Sequence, residues 1–86
     1  MQGRRLPDRN GLKLAAFKPG DYGKVTLDGE EHWYIRTPSG VLGNIDNHTV
    51  TEHEDGTITA SPSILVTGNH EPAWHGYLER GVWRSV

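Results

Sequence analysis

The 86-residue sequence contains no cysteine, which excludes disulfide bonds and metal sites built on thiolates. It has no apolar run near the roughly 18–20 residues that cross a bilayer, and its N-terminus lacks the apolar core of a signal peptide. Its 9 Lys and Arg residues against 11 Asp and Glu residues give a formal net charge of -2, which argues against general nucleic-acid binding. We therefore expect a cytoplasmic protein without a membrane segment and without a general affinity for nucleic acid.

The length of the chain predicts one domain, because a chain of this size buries only about 60–65% of the surface that it exposes when unfolded. Residues 1–10 hold Arg4, Arg5 and Arg9 among polar neighbours, so we interpret them as an arm that is mobile or ordered by a partner. A short apolar segment follows at 12–17 and ends before the turn residues at 19–20. The sequence thus divides into an arm with an apolar segment, 1–20, and a single antiparallel β domain, 21–86.

Residues 21–86 carry the features of short β-strands joined by tight turns. Runs rich in β-branched and aromatic residues alternate with turn residues, and Asp-Gly pairs at 28–29 and 55–56 each separate two such runs. Pro62 has no N–H to donate, so it belongs at a strand edge, a bulge or a corner. The predicted fold is all-β: a small antiparallel curled sheet, sandwich or barrel of about six or seven short strands, with an N-terminal arm. The strands are predicted at 22–27, 32–37, 48–54, 57–60, 64–66, 74–78 and 82–84.

The three tryptophans carry the largest aromatic rings in the sequence. Alternation places Trp33 on the same strand face as Ile35 and Trp74 on the same face as Leu78, while Trp83 lies on the last strand. Large aromatic rings bury much area, so we expect core packing for all three. The competing interpretation is that Trp74 or Trp83 lines a ligand groove, where its ring would stack on a base or a sugar.

Any metal site would have to use histidine and carboxylate ligands. His48 and His53 lie five positions apart on one predicted strand, so they face opposite sides of it. His70 and His75 are separated by a loop, and with Glu71 they are weak candidates for a zinc site. The sequence has no known metal-binding spacing and no Gly-x-Ser-x-Gly nucleophile motif, and we predict no cofactor.

The C-terminal third of the chain offers a set of side chains suited to a polar ligand. Two serine hydroxyls beside a turn can hydrogen-bond an anion, an imidazole and a guanidinium can add charged donors, and indole rings can supply a stacking surface. If the last three strands lie side by side, these groups meet in one patch. The predicted ligand-binding residues are Ser61, Ser63, Trp74, His75, Arg80 and Trp83. The alternative is that the serines, His75 and Arg80 only satisfy turns and strand edges.

The same region resembles the domain of unknown function 6527 family, whose members look like short β domains. The residues that carry the resemblance are Asp55, Gly56, Pro62, Ser63, Ile64, His75, Gly76, Gly81 and Trp83. Many members have a Cys-rich segment upstream that suggests metal binding; this chain lacks cysteine, so that implication does not transfer. The Cys-free version looks like small accessory proteins of actinobacteria and their phages, which implies a cytoplasmic protein of phage or prophage origin.

Three functions are compatible with these features. The first is a non-enzymatic accessory protein, expected to be a homo-oligomer because sheet edges need protection, that recognises a host protein or sequesters a small polar or nucleotide ligand. The second is a small metal-dependent hydrolase that uses His70 and His75. The third is a virion or assembly component whose residues 1–10 reach a neighbouring subunit.

Overall fold

The computed structural model describes residues 1–11, 16–67 and 73–86, which form nine β-strands and no α-helix. The strands are β1 (Arg4–Arg5), β2 (Arg9–Asn10), β3 (Asp21–Leu27), β4 (Glu30–Arg36), β5 (Leu42–Asn44), β6 (Thr49–Glu52), β7 (Ile58–Val66), β8 (Trp74–Glu79) and β9 (Val82–Ser85). They form a first sheet from β1 to β5 and a second sheet from β6 to β9. The all-β prediction is confirmed, and the strands form two sheets instead of a closed barrel.

The first sheet is built around the hairpin of β3 and β4, which pair antiparallel from Tyr22 and Ile35 to Leu27 and Glu30. Asp28 and Gly29 connect them with φ values of 51° and 81°. Both positive values match the type I′ turn that an Asp-Gly pair favours, so this predicted hairpin is confirmed. β5 extends the sheet beyond β4.

The second sheet is antiparallel throughout, in the order β6-β7-β8-β9. The predicted hairpin around Asp55 and Gly56 is confirmed, although only Gly56 has a positive φ, 87°. The Asp55 carboxylate accepts the Thr57 N–H at 3.0 Å and the Thr57 hydroxyl at 2.6 Å, and these bonds hold the turn. The β8–β9 turn places Arg80 and Gly81 at φ values of 46° and 76°, again a two-residue hairpin turn.

Strand β7 runs without a break through the segment that contains proline. Its pairing with β8 shifts between Ala60 and Ile64, and the Ser61–Pro62 peptide bond is cis. Pro62 therefore lies in a bulge, one of the three places predicted for it. The two strands expected at 57–60 and 64–66 are one strand, because pairing resumes after the bulge.

The main core lies between the two sheets. Tyr22 and Ile35 of the first sheet contact a buried set from the second sheet and the β5–β6 connection, namely Ile45, Ile58, Ala60, Ile64, Trp74, Leu78 and Trp83. Trp33, Val50 and Val66 are partly buried against them. Inward side chains of two facing sheets thus form the core of a sandwich.

A second apolar cluster covers the opposite side of the first sheet. Leu6 and Phe17 are buried against Val25, with Leu27, Tyr34 and Leu42 partly buried around them. The first sheet is therefore covered on both sides, and in the part of the chain that the structure describes it is the second sheet that has a solvent-exposed side. The predicted apolar segment at 12–17 contributes Phe17, while residues 12–15 lie outside the described residues.

Residues 1–10 are joined to the domain, unlike the mobile or partner-ordered arm expected from the sequence. β1 and β2 both pair with β3 in parallel, whereas the strand pairs in the described part of 21–86 are antiparallel as predicted. The Gly3 N–H donates to the Gly81 carbonyl at 2.7 Å, and the Trp83 N–H donates to the Met1 carbonyl at 2.8 Å. Buried Leu6 supplies the apolar anchor. The arginines suggested an unattached arm, but strand pairing uses backbone groups and does not depend on the side chains. Residues 1–10 can therefore join the sheet despite their charge.

Candidate binding surface

Two of the predicted ligand-binding residues meet on the exposed side of the second sheet. The Ser63 hydroxyl lies 3.0 Å from Nε2 of His75. The carbonyl of Ser63 accepts a hydrogen bond from Nε2 of His48 at 3.1 Å, so Nε2 is the protonated nitrogen of His48. The β7 bulge presents Ser63 between these two histidines. The predicted convergence of hydroxyl and imidazole is therefore present.

Arg80 lies elsewhere, in the β8–β9 turn. It is five residues from His75, or roughly 16 Å along an extended strand. The backbone N–H of Arg80 donates to the Thr59 hydroxyl at 3.0 Å, and Nε2 of His53 lies 2.7 Å from the same hydroxyl. His53, Glu54, Asp55 and Arg80 line an open groove of about 480 Å³. The guanidinium predicted for the Ser63 patch belongs to this separate groove.

The two tryptophans predicted for the site have their rings in the core. Trp83 is 2% exposed, and its indole N–H donates to the Gly20 carbonyl at 2.9 Å. Trp74 meets it edge to face, with ring centroids 5.3 Å apart. The core interpretation thus fits Trp74 and Trp83, and neither ring is available for stacking on a ligand. Ser61 is exposed and pairs with Thr49 across β6 and β7.

Beside the predicted His75, the exposed side of the second sheet carries apolar and charged residues that the sequence analysis missed. We call this side the outer face; it comprises Leu65, His75, Tyr77, Glu79, Val82 and Arg84. Strand pairing places Leu65 opposite His75, Tyr77 opposite Arg84, and Glu79 opposite Val82. Alternation with buried Ile64, Leu78 and Trp83 was the signal that could have identified them.

Exposed apolar side chains are concentrated on and beside the outer face. Leu65 is 63% exposed and Tyr77 is 40% exposed, with Val82 and Val86 also in solvent. Val86 lies beside His75, whose carbonyl accepts its N–H at 3.0 Å. Met1 lies at the adjoining edge of β9. Across residues 1–11, 16–67 and 73–86 no other large apolar side chain is exposed.

The charges on the outer face are arranged around Tyr77. The Arg84 guanidinium lies 5.3 Å from the centroid of the Tyr77 ring, a cation–π contact, and it forms an ion pair with Glu79. One cation and one anion thus flank an exposed aromatic ring. This surface is suited to contact with another surface, because it presents apolar area and charges of both signs without enclosing a ligand.

Ion pairs between the sheets lie at the far edge of the core. Glu52 of the second sheet binds Lys24 at 2.9 Å and Arg5 at 3.4 Å, and both cations lie over the Trp33 ring. The hydrogen bond from Lys24 is the main cause that lowers the pKa of Glu52 below its ordinary value of 4.5. Desolvation acts the other way, raising it, and is outweighed.

These contacts predict a loss of stability in acid. Because the folded state lowers the pKa of Glu52, its contribution is complete above pH 4.5 and is lost as the pH falls below that value. Thermal unfolding from pH 7 to pH 3 should show a falling midpoint, and Glu52→Gln should make the fall shallower. The variant should cost little at pH 7, because exposed ion pairs contribute less than about 1 kcal/mol. Equal slopes for both proteins would contradict the assignment.

A metal site receives no structural support within the described part of the chain. No three histidine or carboxylate side chains gather there in a way that could hold a metal ion. His70 and Glu71, two of the predicted zinc ligands, lie outside the described residues. His75, the remaining candidate, is hydrogen-bonded to Ser63. In the same described residues, no helix is long and apolar enough to span a membrane.

Comparison of the chain with protein-family models, with curated proteins and with solved structures gives no match. The resemblance to the domain of unknown function 6527 family stays a prediction from the residues quoted for it. Functional inference therefore depends on the surface described above.

Proposed function

We propose that this chain is a small, non-enzymatic accessory protein of phage or prophage type that recognises a host protein through the outer face. The observation that carries the proposal is the concentration of exposed apolar side chains on one side of one sheet. Monomeric proteins rarely leave such groups together in water unless they mark an interaction surface. The first sheet offers no comparable surface, because the two apolar clusters of the chain cover both of its sides.

A protein partner fits the outer face better than a small polar or nucleotide ligand. Small-molecule sites are concave and bury most of the ligand surface. The outer face is the side of a sheet, and its aromatic group is a tyrosine already in contact with Arg84. The groove beside Arg80 is open and is lined by Glu54 and Asp55, whose negative charges would repel the phosphates of a nucleotide. An exposed aromatic ring with apolar side chains and charges around it is typical of a protein interface.

The Ser63 and His75 pair contributes polar contacts at the margin of this surface. The Ser63 hydroxyl and the imidazole of His75 can each exchange their mutual hydrogen bond for one to a partner's backbone. His75 also lies between Leu65 and Val86, so it adds specificity beside apolar contact. The predicted site residues Ser63 and His75 thus belong to the proposed interface.

The two other functions have less support. A hydrolase that uses His70 and His75 would need further ligands near His75, and its described contacts supply only a serine hydroxyl. An assembly component that uses residues 1–10 as a reaching arm would have to release Leu6 from the second apolar cluster and break the pairing of β1 and β2 with β3. The proposed interface requires neither change.

Variants of the outer face test the proposal. Leu65→Asp and Tyr77→Ala should weaken binding of the host protein at least 10-fold, because a charge or a lost ring at the centre of an interface removes its most effective contacts. The partner is first recovered with tagged protein from host cells and identified by mass spectrometry. Isothermal titration with the purified partner then measures the dissociation constant.

A matched control places the same added charge on the first sheet. Asn10 is exposed on β2, so Asn10→Asp should bind the partner within about twofold of the unmodified protein if the outer face alone is used. Circular dichroism checks that each variant is folded. Equal affinity for the partner in Leu65→Asp, Tyr77→Ala and Asn10→Asp would remove the proposed interface.

A further inference from the structure

The outer face has a composition that is complementary to itself. Arg84 and Glu79 place one cation and one anion on it, beside the apolar Tyr77 and Val82. A two-fold axis that lies in the plane between two such faces can bring the cation of one copy near the anion of the other and set apolar groups against apolar groups. Homodimer interfaces of this kind use the same patch on both subunits.

We propose that in the free protein the outer face is covered by a second copy of the chain, in a two-fold dimer. This inference concerns the unbound protein, so it goes beyond the proposed host interaction and does not depend on it. The alternative of an uncovered face would leave Leu65, Tyr77, Val82 and Val86 in water together. A second copy is available wherever the protein is made and brings both charges and apolar groups in matching number.

The sheet geometry allows the two copies to stack. Facing sheets lie about 10 Å apart, a distance that side chains from both copies fill. Tyr77 is in the middle of the exposed row of β8, between His75 and Glu79, and is thus suited to a position near the axis. Arg84 lies opposite it on β9 and can pair with Glu79 of its own chain or of the second copy.

The available area predicts a weak dimer. The outer face spans three strands about 4.8 Å apart, and its rows are four or five residues long, which outlines roughly 200 Å² for each copy. Stable interfaces bury about 800 Å² on each partner, and smaller ones belong to transient complexes. We expect a dissociation constant between about 10 µM and 1 mM.

A weak dimer also has a consequence for the proposed function. If the host protein binds the same outer face, the dimer and the host complex exclude each other. Only the monomer could then bind the host protein. A high concentration of this protein would favour the dimer and so lower the apparent affinity for the host protein. This consequence depends on the proposed function, whereas the dimer does not.

Sedimentation velocity over about 5 µM to 1 mM measures the association. The mass should rise from that of the monomer, 9.6 kDa, toward twice that value as the concentration increases. Leu65→Asp should stay monomeric, and Asn10→Asp should associate like the unmodified protein. A constant mass of 9.6 kDa for the unmodified protein at every concentration would overturn the proposal, as would undiminished association of Leu65→Asp.

Charge reversal tests the two-fold pairing. Glu79→Arg gives a copy with two cations on the outer face, and Arg84→Glu gives a copy with two anions, so each variant alone should associate at least 10-fold more weakly. An equimolar mixture should associate at least as well as the unmodified protein, because the two faces now attract each other. A mixture that stays monomeric would overturn the pairing. Titration of the host protein at low concentration is a separate measurement, so either proposal can fail alone.

Discussion

Gly76→Ala should lower the free energy of unfolding by at least about 3 kcal/mol, which is a large part of the stability of a small domain. A Cβ at Gly76 would overlap the backbone carbonyl oxygen of Arg84 and lie 2.5 Å from the Trp74 ring. Both neighbours are fixed, one by the β8–β9 pairing and the other by the core. Urea denaturation followed by tryptophan fluorescence measures the loss.

Gly29→Asn is the matched control for this prediction. Gly29 has a φ of 81°, and a Cβ there would meet nothing within 4 Å. Asparagine tolerates this backbone conformation, so the substitution should cost less than about 1 kcal/mol. If Gly76→Ala were no more destabilising than Gly29→Asn, that result would contradict the close packing of Gly76 against β9 and the Trp74 ring.

Trp83→Ala should cost about 3–5 kcal/mol, the range found when a large aromatic ring is removed from a core. Trp83 is 2% exposed and contacts Trp74, so its loss opens a cavity between the sheets. It also removes the indole N–H that donates to the Gly20 carbonyl at 2.9 Å, while that carbonyl keeps the backbone N–H of Arg4 at 3.2 Å. Thermal and urea unfolding both measure the change, and the variant is expected to be partly unfolded at 37 °C.

Trp83→Phe separates packing from a direct role in binding. Phenylalanine retains much of the apolar contact with Trp74 and loses the hydrogen bond to Gly20, so it should cost less than Trp83→Ala and leave partner affinity unchanged. If Trp83→Phe kept its stability but lost the host protein, Trp83 would be a binding residue after all. The two readouts therefore decide between the core and ligand interpretations of this side chain.

Much of the fold was accessible from the sequence because its turns are strongly encoded. Asp28 with Gly29, and Asp55 with Gly56, mark hairpins that the structure contains, and the proline at 62 marks the bulge of β7. Residues 1–10 were harder, because β1 and β2 each span only two residues and pair through the backbone. Such pairing leaves no alternation of apolar and polar residues to detect.

The candidate site was only partly predictable for a related reason. Ser63 and His75 lie together because β7 and β8 are neighbours in the sheet, which is the condition on which their predicted convergence rested. Arg80 was misplaced, since its distance from His75 depends on where β8 ends and turns. Tyr77 and Leu65 were not among the predicted residues, because the prediction was based on hydroxyl, imidazole, guanidinium and indole groups, although their exposure follows from the burial of Leu78 and Ile64.

Site-specific photo-crosslinking in host cells tests most directly whether the outer face contacts a host protein, as we propose. A photoreactive phenylalanine analogue replaces Tyr77 in one protein and Asn10, exposed on β2 of the first sheet, in another. We expect an adduct with one host protein from position 77 and none from position 10. No adduct from position 77, or the same adduct from both positions, would contradict the proposal.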